Sequence, residues 1–281
     1  MLIASWNVNS IRSRSNQVRK WLELKNPDVL CLQESKVLDQ DFPKKLFQEL
    51  GYEVITYGQK AYNGVAILSK SNISDIRFGF AGELKESKQL EELDEQKRII
   101  SAVVDGVRII NVYVPNGSSM NSEKFKYKIN WLKKLNEYLN KQSKREEHTC
   151  LLGDFNIALS DRDIYDPTKF TNSLMASEIE RENLEKILKD RFIDSFRVFE
   201  KSSGHWSWWD YRNNAFEFNK GWRIDHIYVS NNLLPRLKNS VIERDERGND
   251  KPSDHVPIMI DLELEGSFYP LEDEEDDIFG L

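Results

Sequence analysis

Cysteine is scarce in this sequence, which contains only Cys31 and Cys150, each inside an apolar run. Two such residues do not make a disulfide framework, and both are predicted to be buried free thiols, as expected in a reducing cytoplasm. Long apolar runs are also lacking, because none approaches the ~18 residues of a membrane span. The start of the chain, MLIASWNVNS, lacks the basic segment and apolar stretch of a signal peptide. The sequence therefore predicts a cytoplasmic protein without a membrane anchor.

Basic residues are absent after Lys251, although the chain carries 40 of them against 47 acidic residues and has a net charge of −7. Ten of the acidic residues follow Lys251, so the first 251 residues have three more basic than acidic side chains. The acidity is therefore terminal, and a polyanionic partner remains compatible with the rest of the protein. Residues 267–281, which include EDEEDD, are predicted to form an acidic, disordered tail.

Short segments rich in Ile and Val alternate with helical patterns. The predicted strands are LIASWNV, DVLCLQE, GVAILS, RIISAVV, VRIINVYV, CLLGDFN, RIDHIYVS and VPIMIDLEL. The predicted helices are SNQVRKWLELK, FPKKLFQELG, SEKFKYKINWLKKLNEYLNKQ and ASEIERENLEKILKD, with Ser122 and Ser177 as N-caps of the last two. In the basic helix KFKYKINWLKK, Ile129, Trp131 and Leu132 should pack inward while the lysines face solvent.

The pair Asp105-Gly106 lies between two predicted strands and is a strong signal for a hairpin. At least one strand pair is therefore antiparallel, which excludes a purely parallel sheet. An α/β protein with two mixed sheets packed face to face and helices outside fits this pattern better. The charged segment 85–97 is predicted to be a surface loop or a short helix, and no linker divides the chain.

Polar residues interrupt or follow the apolar strands, most clearly in LLGDFNI, where Asp154 and Asn156 are two residues apart. In an extended chain both would point to one face and Phe155 to the core. Further polar residues at strand ends are Asn7, Asn9, Glu34, Asp225, Asp254 and His255. Burying a carboxylate is costly unless it is paired or binds a metal, so these residues are predicted to form a functional site.

Oxygen ligands without clustered cysteine or histidine favour Mg²⁺ or Mn²⁺ over zinc, and Glu34 with Asn7 makes a sensible ligand set. A histidine beside a carboxylate can donate to a phosphate oxygen, while an aspartate can orient or deprotonate water. Together these groups are typical of phosphodiester hydrolysis by in-line attack.

The segments SWNVNSIRSR, LQESK, YNGVAILSK, NVYVPNG, GDFNIA, GWRIDHI and PSDH follow one another along the chain. In this order they resemble the exonuclease III group of abasic-site endonucleases, within the endonuclease/exonuclease/phosphatase superfamily. The resemblance implies a four-layered α/β sandwich of two mixed β-sheets flanked by helices, as in DNase I, and a single domain over residues 1–266.

The same resemblance implies roles for individual residues. The implied catalytic residues are Tyr113, Asp154, Asn156, Asp225 and His255, with Asp225 paired to His255. The implied metal-site residues are Asn7, Glu34, Asp154, Asn156, Asp254 and His255. Arg12, Lys36, Asn63 and Asn116 match positions near the DNA backbone. One or two metal ions and several choices of general base remain open, and two positions, Ser35 and Asn9, differ from residues common in the group.

Tryptophans cluster in the segment HWSWWDYRNNAFEFNKGWRID, where they alternate with basic residues. Aromatic faces beside cations can stack on bases and grip phosphates, as an enzyme that extrudes a baseless sugar requires. Trp208, Trp209, Trp222 and Arg212 are therefore predicted to contact DNA, whereas Trp206 is predicted to pack in the core.

The function that follows is a Mg²⁺-dependent DNA repair nuclease. It would cut duplex DNA 5′ to abasic sites and trim 3′ ends, with 3′-phosphatase activity in addition. Such an enzyme would act as a monomer on double-stranded DNA. A nonspecific DNase or a phosphoinositide phosphatase would share the metal site but lack the tryptophan-rich segment. A noncatalytic DNA-binding module is disfavoured, because no expected catalytic position is apolar.

Overall fold

The computed structural model describes residues 1–85, 88–142 and 148–264, without the side chain of Gln89. The strands are β1 Leu2–Asn7, β2 Val29–Gln33, β3 Glu53–Tyr57, β4 Val65–Ser69, β5 Ser74–Phe78, β6 Ile99–Val104, β7 Val107–Tyr113, β8 Thr149–Asp154, β9 Phe192–Asp194, β10 Asp225–Ser230, β11 Leu237–Ile242 and β12 Ile258–Leu262. The predicted tail, residues 267–281, lies outside the described residues, as does the domain limit at 266.

The strands form two six-stranded sheets, with the orders β11-β12-β1-β2-β4-β3 and β5-β6-β7-β8-β10-β9. Both sheets are mixed, because β1 and β2 are parallel, as are β7 and β8, while the other paired neighbours are antiparallel. The predicted hairpin is confirmed: Val104 pairs with Val107, and Asp105 and Gly106 both have positive φ between them. A left-handed conformation at both turn residues matches the twist of the strands.

Helices cover the outer faces of the two sheets. They are α1 Ile11–Lys25, α2 Lys44–Gln48, α3 Lys88–Asp94, α4 Glu123–Gln142, α5 Pro167–Phe170, α6 Glu178–Leu188 and α7 Ser195–Phe199. One apolar core lies between the sheets, a second joins α4 and α6 to β7 and β8, and a third joins α1 to β1 and β2. The predicted four-layered sandwich is therefore confirmed, and α3 provides the short helix within residues 85–97.

Both cysteines are free and fully buried in the core between the sheets, as predicted. Burial raises the pKa of the Cys31 thiol well above its ordinary value, so this side chain behaves as a small apolar group. Within the described residues, no helix is long and apolar enough to cross a membrane.

The two parallel strand pairs determine where polar groups converge. Asn7 ends β1, Glu34 follows β2, Tyr113 ends β7 and Asp154 ends β8. Because parallel neighbours end at the same edge, each sheet presents two of these groups at one rim. The sheets stack face to face, which brings the two rims together.

Candidate active site

Asp154 is the centre of the site and is almost completely buried. Strand β8 ends there, and Asn156 has a left-handed backbone with φ of 49°. The backbone amide of Asn156 donates to Oδ1 of Asp154 at 2.8 Å, and its side-chain amide donates to Oδ2 at 3.2 Å. The two side chains therefore meet because the chain turns after the strand, which corrects the prediction of an extended chain. Phe155 packs into the core as predicted.

Asn7 connects the two sheets at this point. Its Nδ2 donates to Oε1 of Glu34 at 2.8 Å and to Oδ2 of Asp154 at 2.9 Å. Lys36 lies on the other side of Glu34, with 2.8 Å between Nζ and Oε2. Burial acts to raise the pKa of Glu34, but Lys36 outweighs burial and the pKa falls below its ordinary value. Glu34 is thus an ionised carboxylate held toward Asp154.

His255 lies between two aspartates. Its Nδ1 is 2.8 Å from Oδ2 of Asp225, and its Nε2 is 3.8 Å from Oδ2 of Asp154. Burial alone would lower the pKa of His255, but Asp225 and then Asp154 outweigh burial and raise this pKa to about 10. The imidazole is therefore protonated at neutral pH, with Nε2 facing the centre of the site. Ser207 holds the same oxygen of Asp225 through a 2.6 Å hydrogen bond from its hydroxyl.

The donor set fits a hard divalent cation. Glu34, Asp154 and His255 each offer one ligand atom, and these atoms lie within 4.8 Å of one another. Burial raises the pKa of Asp154 to about 7 in the absence of a cation, although His255 opposes the shift. Asp154 and Glu34 are two carboxylates close together in a buried site. A divalent cation between them would favour the ionised form of Asp154. A protonated His255 has no free lone pair at Nε2, so it is better suited to donate to phosphate than to bind the metal.

Asp254, predicted at the metal, lies outside this group of ligand atoms. Its Oδ1 accepts from Nδ2 of Asn9 at 3.0 Å, and its Oδ2 accepts from Nε1 of Trp208 at 3.0 Å. The amide oxygen of Asn7 accepts from the backbone of Asn9 at 3.0 Å, and that of Asn156 accepts from Asn116 at 2.9 Å. The amide oxygens of Asn7 and Asn156 and both oxygens of Asp254 are therefore engaged in hydrogen bonds within the protein.

The tryptophan segment lies beside the catalytic groups. Trp208 and Trp222 exchange two backbone hydrogen bonds of 2.9 Å, and Trp208 also pairs with His255 in an isolated bridge. Trp222 packs in an apolar cluster with Ile164 and Ile224. Trp208 and Trp222 thus form an apolar wall at the site, in which Trp208 neighbours His255 and Trp222 is buried.

Trp209 does not belong to that wall. Its side chain is fully buried and packs edge-on against Phe216, with 5.2 Å between ring centroids. A residue in this position cannot stack on a base without a local rearrangement, so the prediction that Trp209 contacts DNA is corrected. Trp206 is buried, as predicted.

The predicted DNA-backbone residues surround the site but differ in exposure. Arg12 and Arg212 are exposed and form surface ion pairs with Asp41 at 3.2 Å and Asp210 at 2.7 Å. Lys36 is half-buried beside Glu34, and Asn63 is buried. Asn63 and Asn116 line a cleft of about 550 Å³ that also includes Tyr62, Arg98, Tyr113 and Lys124. Tyr113 therefore belongs to the lining of this cleft.

Tyr113 forms the floor between this cleft and the site. The guanidinium of Arg98 lies over its ring at 4.5 Å from the centroid. Burial and, next in size, the charge of Glu34 raise the pKa of Tyr113 well above its ordinary value. The phenol is therefore protonated and is suited to donate a hydrogen bond.

Sequence reasoning missed Lys128, which was expected to face solvent. Its side chain is fully buried and its Nζ donates to Oε1 of Glu180 at 2.5 Å. The signal was present in the helix pattern: Lys128 lies on the stripe with Phe125, Leu132 and Leu135, at spacings of three and four residues. A charged residue on such a stripe predicts a buried partner, here provided by the capping box of α6.

A buried ion cluster anchors the segment that carries Trp222. Arg223 donates from Nε to Oδ1 of Asp163 at 2.7 Å and from Nη2 to Oδ2 of Asp194 at 2.6 Å. Arg197 contacts the same oxygen of Asp163 at 2.5 Å. Burial would raise the pKa of Asp163, but Arg223 outweighs it and holds this pKa far below its ordinary value.

Replacing Asp163 with asparagine is expected to lower the free energy of unfolding by about 3 kcal/mol at pH 7, since a buried arginine loses one of its carboxylates. The folded-state pKa is depressed, so this stabilisation is complete above the unfolded value of about 4 and declines as pH falls below it. Urea titrations should therefore show a difference between wild type and Asp163→Asn that shrinks in acid. Asp161→Asn, at an exposed pair with Arg181, is the control and should change little. Equal stability of the two variants at pH 7 would contradict the prediction.

Two mixed sheets with carboxylates, amides and a histidine converging at one rim define a class of phosphoester-cleaving proteins. Residues 4–255 match the model of the Endonuclease/Exonuclease/phosphatase family, and the chain belongs to that family.

Individual relatives are similar over nearly the whole chain. Exodeoxyribonuclease III of Haemophilus influenzae is 36% identical over 274 residues, covering 93% of this chain and 100% of that protein. Exodeoxyribonuclease of Bacillus subtilis is 31% identical over 270 residues, covering 94% and 100%.

Solved structures agree with this assignment. The 3′ phosphatase NExo from Neisseria, bound to product DNA hairpin, has 39% identity and a TM-score of 0.89, and the match covers 94% of this chain and 100% of that one. An AP endonuclease from Archaeoglobus fulgidus has 36% identity and a TM-score of 0.87, with the same coverage.

Proposed function

We propose that this protein is a Mg²⁺-dependent DNA repair nuclease of the exodeoxyribonuclease III type. It hydrolyses the phosphodiester bond 5′ to abasic sites, degrades duplex DNA from 3′ ends and removes 3′ phosphates. The observation that carries this proposal is the convergence of Glu34, Asp154 and His255, which bring one side-chain atom each to within 4.8 Å of one another at the shared rim of the two sheets. The names of the relatives support the choice of DNA as substrate.

Glu34 and Asp154 would hold the cation, with Mn²⁺ as a substitute for Mg²⁺, because both ions prefer oxygen ligands. When bound, the ion supplies a Lewis acid that polarises phosphate oxygens and acidifies water. Asn7 bridges the two carboxylates through hydrogen bonds of 2.8 and 2.9 Å and so fixes their separation.

The remaining residues act on the water and the phosphate. Asp154 accepts a proton from the attacking water, and Asn156 orients the carboxylate of Asp154 through its side-chain amide. Protonated His255, held by Asp225 at 2.8 Å, donates from Nε2 to a phosphate oxygen where negative charge develops. The protonated phenol of Tyr113 donates to the same phosphate.

The test is cleavage of a labelled duplex with one abasic site, next to an intact duplex with a recessed 3′ end. With Mg²⁺, incision at the abasic site and shortening of the recessed end are expected, and a chelator should abolish both. A third substrate with a 3′ phosphate measures phosphatase activity. Folded protein that leaves all three substrates intact with Mg²⁺ and with Mn²⁺ would refute the proposal.

A phosphoinositide-type phosphatase would use the same carboxylates and histidine, so DNA binding separates the two functions. A nuclease should bind duplex DNA with an affinity that falls as salt rises, because phosphate contacts release counterions. A phosphatase of small substrates should show no such affinity. We favour the nuclease because Trp208 pairs with His255 and, together with Trp222, forms an apolar wall at the site. The cytoplasmic location and monomeric state belong to this proposal, and light scattering with and without DNA tests the latter.

Replacing Trp222 with alanine is expected to lower the preference for abasic over intact duplex by about tenfold, as for the loss of apolar contacts in a specificity pocket. The measurement is the ratio of kcat/KM on the two substrates. Trp206→Ala removes a comparable buried ring from a neighbouring cluster and should leave this ratio unchanged. An equal loss on both substrates for Trp222→Ala would make the residue structural only.

A further inference from the structure

Lys128 is a fully buried cation behind the active-site loop, and the chemistry above gives it no role. Its Nζ donates to Oε1 of Glu180 at 2.5 Å, to the backbone oxygen of Asn156 at 2.8 Å and to that of Asn116 at 3.2 Å. An ammonium group has three donors, so all of them are used. One side chain of α4 thus joins α6 to two loops at the catalytic rim.

Stability alone is a weak reason for such a pair. Buried ion pairs are often no more stabilising than apolar residues of similar volume, because desolvation offsets their attraction. Glu180 already has a structural task, since it accepts from the backbone and hydroxyl of Ser177 at 3.1 and 2.6 Å in the capping box of α6. The feature that the capping box does not explain is the contact of Lys128 with the two asparagine carbonyls.

Asn116 and Asn156 are joined by a hydrogen bond between their side chains. The side chain of Asn116 donates to Oδ1 of Asn156 at 2.9 Å, and Nδ2 of Asn156 donates to the backbone oxygen of Val114 at 3.0 Å. Asn156 is held in a left-handed conformation, which is sparsely populated and persists only where surrounding contacts enforce it. Its backbone and side-chain amides then both reach Asp154.

We propose that Lys128 is a positioning residue for the proposed hydrolysis. Neutralised by Glu180, its ammonium group clamps the carbonyls of Asn116 and Asn156 and so fixes the amide of Asn156 against Asp154. The inference rests on the proposed function for its kinetic consequence, whereas its structural consequence can be measured without catalysis. Small displacements of catalytic groups lower turnover strongly even when substrate binding is retained.

The test variant is the double substitution Lys128→Met with Glu180→Gln. Methionine has nearly the length of lysine but no donor, and glutamine retains an acceptor for Ser177 without leaving an unpaired buried charge. We expect a folded protein whose kcat on the abasic duplex falls at least about tenfold, with KM within about twofold of wild type. An unchanged kcat, or a raised KM with unchanged kcat, would overturn the proposal.

The control is Arg108→Met, which removes another fully buried cation at the start of β7, far along the strand from Tyr113. Arg108 contacts the backbone oxygen of Asp75 at 2.8 Å and pairs with the Asp75 carboxylate, at the opposite end of β7 from Tyr113. This variant should lose stability yet keep kcat within about twofold of wild type. If both variants lose kcat in proportion to stability, the role of Lys128 is structural only and the proposal fails.

Hydrogen exchange of the peptide covering residues 152–158 provides the readout that does not need activity. Faster exchange at Asn156 is expected in the double variant and not in Arg108→Met, because only the former releases the carbonyl clamp. Unchanged exchange in the double variant would overturn the proposal. If wild-type protein cleaves no DNA, the proposed function fails, and the exchange result alone decides whether Lys128 holds this loop.

Discussion

Asp154→Asn is expected to lower kcat on an abasic duplex at least about a hundredfold while leaving the dissociation constant for DNA nearly unchanged. The substitution keeps the shape of a buried side chain, but its single carbonyl oxygen can accept at only one position. That position is Oδ2, facing Asn7, or Oδ1, facing the backbone amide of Asn156. The substitution removes the proposed acceptor of the water proton and one negative charge from the proposed cation site. The measurements are single-turnover cleavage with saturating Mg²⁺ and fluorescence titration of DNA with a chelator present.

The control is Asp161→Asn, which lies on the same loop but is exposed and paired with Arg181 at 2.9 Å. It should cleave at the wild-type rate. Unchanged turnover of Asp154→Asn, with a circular dichroism spectrum like that of wild type, would remove Asp154 from the mechanism. Recovery of most activity at high Mg²⁺ would instead assign Asp154 chiefly to cation binding.

His255→Gln is expected to lower kcat by about two to three orders of magnitude. Glutamine retains a neutral donor but lacks the charge that Asp225 and Asp154 stabilise on the imidazole, whose pKa they raise to about 10 against the opposing effect of burial. The charge matters most where the phosphate becomes more negative, so KM should change less than kcat. Steady-state kinetics on the abasic duplex measure both quantities.

His205→Gln serves as the matched control, because this histidine is partly exposed and pairs with Glu200 away from the site. Asp225→Asn also tests whether the charge on His255 matters for turnover, because it retains His255 but removes the nearest negative charge. We expect a loss of kcat smaller than that of His255→Gln. If His255→Gln raised KM alone, the residue would contribute to DNA binding and not to stabilising the transition state.

The four strands that were not predicted from the sequence, β3, β5, β9 and β11, are all edge strands. Strands β3 and β11 are the two edges of one sheet, and β5 and β9 are the two edges of the other. Edge strands such as β5 and β11 have mostly exposed or half-buried residues and include charged side chains, so they lack the apolar pattern of a buried strand. The eight predicted strands are the central ones, which are buried on both faces in a four-layered fold.

The candidate site was likewise predicted only in part from the sequence. The identities of Glu34, Asp154, Asp225 and His255 could be recognised in the sequence, because carboxylates and a histidine at the ends of apolar strands are unusual and chemically informative. Their pairing could not, since Glu34 and Asp154 are 120 positions apart and meet through Asn7, which bonds to both. Trp209 and Lys128 were wrongly assigned because exposure depends on packing, and neither a tryptophan pattern nor a positive charge reports it.

The sequence by itself determined the family, the central strands and the kind of chemistry, since local patterns of apolar and polar residues carry that information directly. Only the tertiary structure decided which oxygen of Asp225 holds His255, that Asn156 leaves the strand in a left-handed turn, and that Lys128 lies beneath it. These features arise from contacts between elements distant in sequence. Their energies depend on burial and on distances of a few ångströms, which no local pattern specifies.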